Sequence, residues 1–147
     1  MTNEVAQINQ KEVTTNILPR VDEMQSEGLA LPKNYNVSNA LNIAFLKIKE
    51  MKVKGQPVLN IVTRTSVQET LLNMALQGLS PAKNQVYFIP YGNQLQMQRS
   101  YQGSQAVLKR IDGVKDIWAN VIYEADDFVM EIDDKGIERF VKHDTNW

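Results

Sequence analysis

After Ser80-Pro81 the spacing of apolar residues changes from a helical period to a strand period, and this change divides the chain. Upstream, Ala40, Leu41, Ala44, Phe45 and Ile48 form one stripe at i, i+3 and i+4 spacing. That stripe predicts an amphipathic helix capped by Asn36 or Ser38. Val67, Leu71, Leu72, Ala75 and Leu76 predict another, opened by Thr65 with Gln68 in a capping box and closed by Gly78. Val13, Ile17, Leu18, Val21 and Met24 predict an earlier helix between residues 12 and 27, either kinked at Pro19 or beginning there. Gly55-Gln56-Pro57 reads as a turn, and residues 58–62 as a short strand or connector.

Downstream, residues 85–91 and 94–101 predict two strands joined at Gly92-Asn93, with Pro90 confined to an edge or bulge. A short helix starts at Gly103 or Ser104, runs through Ile111 and stops at Asp112-Gly113. Further strands are expected at 116–123, 127–132 and 137–142, the last two joined through residues 133–136. This order predicts an α+β fold: N-terminal helices followed by antiparallel β-hairpins with an inserted short helix. Phe140, Val141 and Trp147 need cover, so the sheet is expected to be incomplete in this chain. Residues 1–11 are polar and read as a flexible tail, leaving 12–147 as one domain.

With 147 residues, 43% of them hydrophobic, the chain is long enough for one core. It has no apolar run of membrane-spanning length and no signal-peptide start. The absence of cysteine excludes disulfides and thiolate metal sites, and a cytoplasmic protein is the simplest reading. The net charge of −1 conceals an asymmetry. Residues 81–115 hold Lys83, Arg99, Lys109, Arg110 and Lys115 against Asp112 alone, whereas residues 116–147 hold nine acids against three bases. A basic middle beside an acidic end is compatible with a localised anion site.

The same segment carries the parts of a surface for single-stranded nucleic acid. Tyr87, Phe88, Tyr91 and Tyr101 are candidate stacking groups, with at least half expected in the core because alternate strand residues face inward. Arg99, Lys109, Arg110 and Lys115 can meet phosphates, as can Lys83 at the segment's start. Gln94, Gln96, Gln98, Gln102 and Gln105 offer neutral hydrogen bonds. The amides around Ser104 at the start of the short helix can cradle a phosphate, with Gly103 allowing close approach.

Two other readings stay open on the residues alone. Asp126, Asp127 and Glu131, in an acidic stretch that also has Glu124, Asp133, Asp134 and the single His143, could form a divalent-metal nuclease site. The chain could instead be a structural assembly protein whose polymerisation is its function and whose basic stretch makes subunit contacts. No phosphate-binding glycine loop with its lysine is present, which disfavours an ATP-driven recombinase.

Several stretches together resemble the RecT family of phage and prophage proteins. They are Leu31-Pro-Lys-Asn-Tyr-Asn-Val-Ser-Asn-Ala40, Ala75-Leu-Gln-Gly-Leu-Ser-Pro-Ala-Lys-Asn-Gln-Val-Tyr-Phe-Ile-Pro-Tyr91, Gln98-Arg-Ser-Tyr-Gln-Gly103 and Val121-Ile-Tyr-Glu-Ala-Asp-Asp-Phe128. The resemblance covers residues 12–143 and implies an ATP-independent protein that binds single-stranded DNA and anneals complementary strands in homologous recombination. It implies no catalysis, no cofactor and no metal. It also implies a homo-oligomer, as a helical filament or ring on the strand and the annealed duplex intermediate, in the cytoplasm of a bacterial host. A phage exonuclease and the host single-strand-binding protein are its implied partners. Tyr101, Gln102 and Gly103 match the family's Tyr-Lys-Gly element, with Gln102 in place of lysine. Family members are usually longer, so this chain is expected to lack a C-terminal portion. The implied DNA contacts are Lys83, Tyr91, Arg99, Tyr101, Gln102, Gly103, Ser104, Lys109, Arg110 and Lys115.

Overall fold

The computed structural model describes residues 9–146 and divides the chain into two compact units, one ending at Lys115 and the other beginning at Asp116. Among the described residues it is an α+β structure of four α-helices and three two-stranded antiparallel ribbons, none closed.

In the first unit, α1 (Gln10–Ser26), α2 (Val37–Glu50) and α3 (Arg64–Leu76) pack against one another. Asn9 caps α1 by accepting from the Lys11 N–H. Asn9, Gln10 and Lys11 thus belong to the helix start, and the rest of the expected tail lies outside the described residues. Helix α1 runs through Pro19 rather than starting there. Pro19 and Thr15 are both exposed, so the Thr15 carbonyl left without an N–H partner can be hydrated. Asn36 caps α2, its Oδ1 accepting from the Asn39 N–H at 2.8 Å. The cap of α3 is Thr63, not Thr65: the Thr63 hydroxyl accepts from the Ser66 N–H, and Thr65 is exposed. Residues 58–60 form a 3-10 turn rather than a strand, after a small ribbon of β1 (Lys52–Val53) and β2 (Gln56–Pro57).

The core lies between these helices and one face of a hairpin, β3 (Val86–Tyr91) and β4 (Gln94–Arg99). Val13, Ile17 and Val21 from α1 meet Leu41, Phe45 and Ile48 from α2, with Val67, Leu71 and Met74 from α3. Val86, Phe88 and Leu95 close the cluster from the hairpin. Each large apolar side chain buried this way contributes roughly 1.5–3 kcal/mol against the entropy of ordering the chain. Among the described residues no helix is long and apolar enough to cross a membrane.

The second unit is built on β5 (Asp127–Ile132) and β6 (Glu138–Asp144), with a register shift at Val129/Met130. The strand expected over 116–123 does not form; that segment carries no regular structure. It lines, through Trp118, Asn120 and Ile122, a cavity of about 320 Å³ with Phe128, Phe140 and His143, so it meets the hairpin by side chains instead of pairing with it. None of the described residues from 116 onward is fully buried, and Phe140 is 62% exposed. The incomplete sheet expected around Phe140 and Val141 is found; Trp147 lies outside the described residues.

Candidate nucleic-acid interface

The β3–β4 hairpin pairs Tyr87 with Gln98, Ile89 with Gln96 and Tyr91 with Gln94 on one face. Val86, Phe88 and Pro90 oppose Arg99, Met97 and Leu95 on the other. The second face is turned to the core, and α3 grips it through backbone bonds. The Ser66 hydroxyl accepts from the Leu95 N–H at 3.0 Å, and the Thr70 hydroxyl donates to the Leu95 carbonyl at 2.8 Å. Both Leu95 groups therefore point away from β3, which makes Pro90–Leu95 a non-hydrogen-bonded pair. Pro90 sits where no N–H is needed, and the ladder is intact. Asn93 in the turn accepts from the Thr63 N–H at 2.8 Å, fixing the hairpin tip to the start of α3.

Only one of the four candidate aromatics is core. Phe88 is buried, whereas Tyr87, Tyr91 and Tyr101 are 51%, 57% and 69% exposed. The expectation that half or more would be buried fails because the odd-numbered residues of β3 face away from α3 and Tyr101 stands on a helix instead of a strand. Tyr87 shares that face with Tyr91 by simple parity, a signal readable from the sequence.

Helix α4 (Tyr101–Leu108) starts two residues earlier than expected and ends three earlier. Ser100 caps it: its hydroxyl accepts from the Gly103 N–H at 3.0 Å and donates to the Asn84 carbonyl at 2.6 Å. Gly103 is buried, and a β-carbon there would lie 2.0 Å from the Gln85 carbonyl oxygen. Its lack of a side chain thus lets α4 sit directly against the start of β3. Tyr101 projects from the first turn; Gln102 is half-buried with its Oε1 unpartnered, and the Ser104 N–H is bonded to the Ser100 carbonyl. Lys109 caps the helix end, and Lys83, Arg99 and Lys115 are exposed.

Arg110 is placed differently from the other cations. Its guanidinium donates to the Gln77 and Gly78 carbonyls, at 2.6 and 2.7 Å, at the C-terminal end of α3. Beside it the Tyr35 hydroxyl donates to the Leu79 carbonyl at 2.9 Å, and burial pushes the Tyr35 phenol up to about 12, the nearby guanidinium offsetting part of this. Tyr35, Arg110, Lys83, Asn34, Asn39 and Gln85 line a cleft of about 410 Å³ with no acidic residue in its wall. Tyr35 lies in the Leu31–Ala40 stretch of the resemblance, but nothing in the sequence marks it as a cleft residue.

In the second unit, Asp126 and Asp127 of the metal-site alternative are each held by a base. The Asp126 carboxylate accepts from His143 Nε2 at 2.8 Å and from the Tyr123 N–H at 2.9 Å. The imidazole contact is the main reason its pKa lies below the ordinary aspartate value. Asp127 pairs with Lys142 at 2.6 Å, and Arg139, opposite Glu131 in the register, pairs with Asp133 at 2.9 Å. Among the described residues no three acid or imidazole groups gather as metal ligands would.

Residues 38–147 match the model of the RecT family. No curated protein and no solved structure matches the chain. The match spans well over half of the sequence and takes in the hairpin, α4 and the acidic ribbon. The chain belongs to the RecT family, whose members are phage-type single-strand annealing proteins.

Proposed function

We propose that residues 12–147 form a DNA-binding domain that holds single-stranded DNA and pairs it with its complement without ATP. The observation that carries this is the stretch from Pro81 to Ile111. It contains no acidic residue, and it presents exposed Tyr91, Arg99 and Tyr101 on the hairpin and helix, with exposed Lys83 in the turn before β3. Lys109 and Lys115 extend the cationic run. These cations would neutralise phosphates, a contribution that weakens as salt rises. No bond is made or broken; Watson–Crick pairing supplies the sequence check.

Arg110 acts in this reading as a positioning residue, because two of its donors are committed to α3. Gly103 and Ser104 likewise shape the α4 turn, with Tyr101 and Gln102 facing the strand. The protein would act as a homo-oligomer, a filament or ring, in the cytoplasm of a bacterial host. A phage exonuclease and the host single-strand-binding protein would be its partners.

The test mixes the protein with two complementary fluorescent oligonucleotides, added one after the other, without nucleotide and across a salt series. Annealing faster than the protein-free control, and slowing as salt rises, is the expected result. No binding to either strand would overturn the reading.

A further inference from the structure

The two faces of the β3–β4 ribbon differ in chemistry as well as in burial. The face away from α3 carries Tyr87, Ile89 and Tyr91 with Gln98, Gln96 and Gln94 directly opposite. Not one of these six is charged at neutral pH. They sit within a stretch whose ionic residues, from Pro81 to Ile111, are all cations. Both tyrosines stand more than half exposed on a ribbon fixed to α3 by Ser66, Thr70 and the Asn93 turn.

We infer that this neutral face binds unpaired bases of single-stranded DNA by stacking on Tyr87 and Tyr91, with the opposite glutamine amides meeting the base edges. The inference rests on the DNA-binding reading above and assigns the bases and the phosphates to different groups. A neutral face cannot add phosphate affinity, whereas Lys83 and Arg99, both at the open end of the ribbon where Val86 pairs with Arg99, can hold the phosphates of a strand that enters from that end. Every base has a π-face, and a glutamine amide both donates and accepts, so the pairing of ring and amide tolerates any sequence. Opposed residues lie close enough for each tyrosine and its glutamine to touch the same base. Tyr87 and Tyr91 are four strand residues apart, about 13 Å, so they engage two separate bases rather than clasping one. A duplex has its π-faces covered by its own stacking, which makes the face selective for single strands.

The experiment measures affinity of the full chain for a labelled mixed-sequence oligonucleotide and for its duplex over a salt series. Wild type is compared with Tyr87→Ala, Tyr91→Ala and the matching phenylalanine variants. Each alanine variant should weaken single-strand binding roughly tenfold, leave duplex binding unchanged and leave the slope against log salt unchanged. The phenylalanine variants should bind like wild type. A changed salt slope, an equal loss on duplex, or alanine variants that bind as wild type would each overturn the inference while leaving DNA binding itself intact. So would alanine variants whose DNA-free assembly changes while single-strand affinity does not, since the face would then meet protein. If wild type binds no single strand, the DNA-binding reading fails with it.

Discussion

Arg110 Nη2 donates to the Gly78 carbonyl oxygen at 2.7 Å, and Nη1 donates to the adjacent Gln77 carbonyl. The last carbonyls of a helix have no partner within it, and a cation there also meets the negative end of the helix dipole. One arginine therefore ties the segment after α4 to the end of α3, across 32 residues of sequence. Arg110→Ala should cost roughly 1–2 kcal/mol of stability, seen as a lower denaturant midpoint. Arg110→Lys should recover only part of this, because an ammonium lacks the planar fork that spans two carbonyls. The salt slope of DNA binding should stay as in wild type for both; a slope reduced by about one would move Arg110 among the phosphate contacts.

Gly103→Ala tests what the glycine of the Tyr-Gln-Gly element is for. The added β-carbon meets a backbone oxygen, not a flexible side-chain end, so α4 has to move off β3. A loss of about 3 kcal/mol is expected, with a matching fall in Tm. If the variant melts as wild type does but binds DNA more weakly, the glycine serves a phosphate rather than the packing of α4.

Gln102 stands where the related pattern has lysine, in the first turn of α4 with its amide oxygen unpartnered. Gln102→Lys adds a cation whose stem can lie in the half-buried site while its ammonium reaches solvent. Tighter binding at low salt is expected, with about one further counterion released per protomer, read from the slope of log K against log salt. An unchanged slope would place this side chain away from the strand's phosphates.

Acid should loosen the second unit through Asp126. Its pKa is depressed in the folded chain, chiefly by His143, so its stabilising effect is complete above the ordinary aspartate value. That contribution is lost as pH falls through the lower, folded value, that is, below about pH 4. Near-ultraviolet circular dichroism of Trp118 and Tyr123 should follow the loss. Asp126→Asn should remove this acid dependence, and a retained dependence would point to a different carboxylate.

Much of the fold was legible along the chain because burial follows periodicity. The stripe from Ala40 to Ile48 and the alternation from Val86 to Arg99 each assign a face before any contact is known. The Gly92-Asn93 turn and the 133–136 turn were legible from turn chemistry alone. Boundaries were less so: Thr63 and Thr65 are equally good caps in isolation, and the Thr63 N–H bond to Asn93 tips the choice. Residues 116–123 have strand composition but no partner strand beside them among the described residues, and a strand exists only when another pairs with it.

What the sequence determined by itself is therefore local: the helical and strand faces, the acid-free stretch between Pro81 and Ile111, and the residues able to stack or carry charge. Tertiary structure decided which of those residues are already occupied. Arg99 and Arg110 look alike in the sequence and both are exposed, yet Arg110 has two donors committed to helix carbonyls. Tyr87 and Phe88 are neighbours, yet one faces solvent and the other the core. The physical reason is that a side chain's role depends on which groups satisfy its polar atoms and cover its apolar surface. Those groups come from elements far away in sequence.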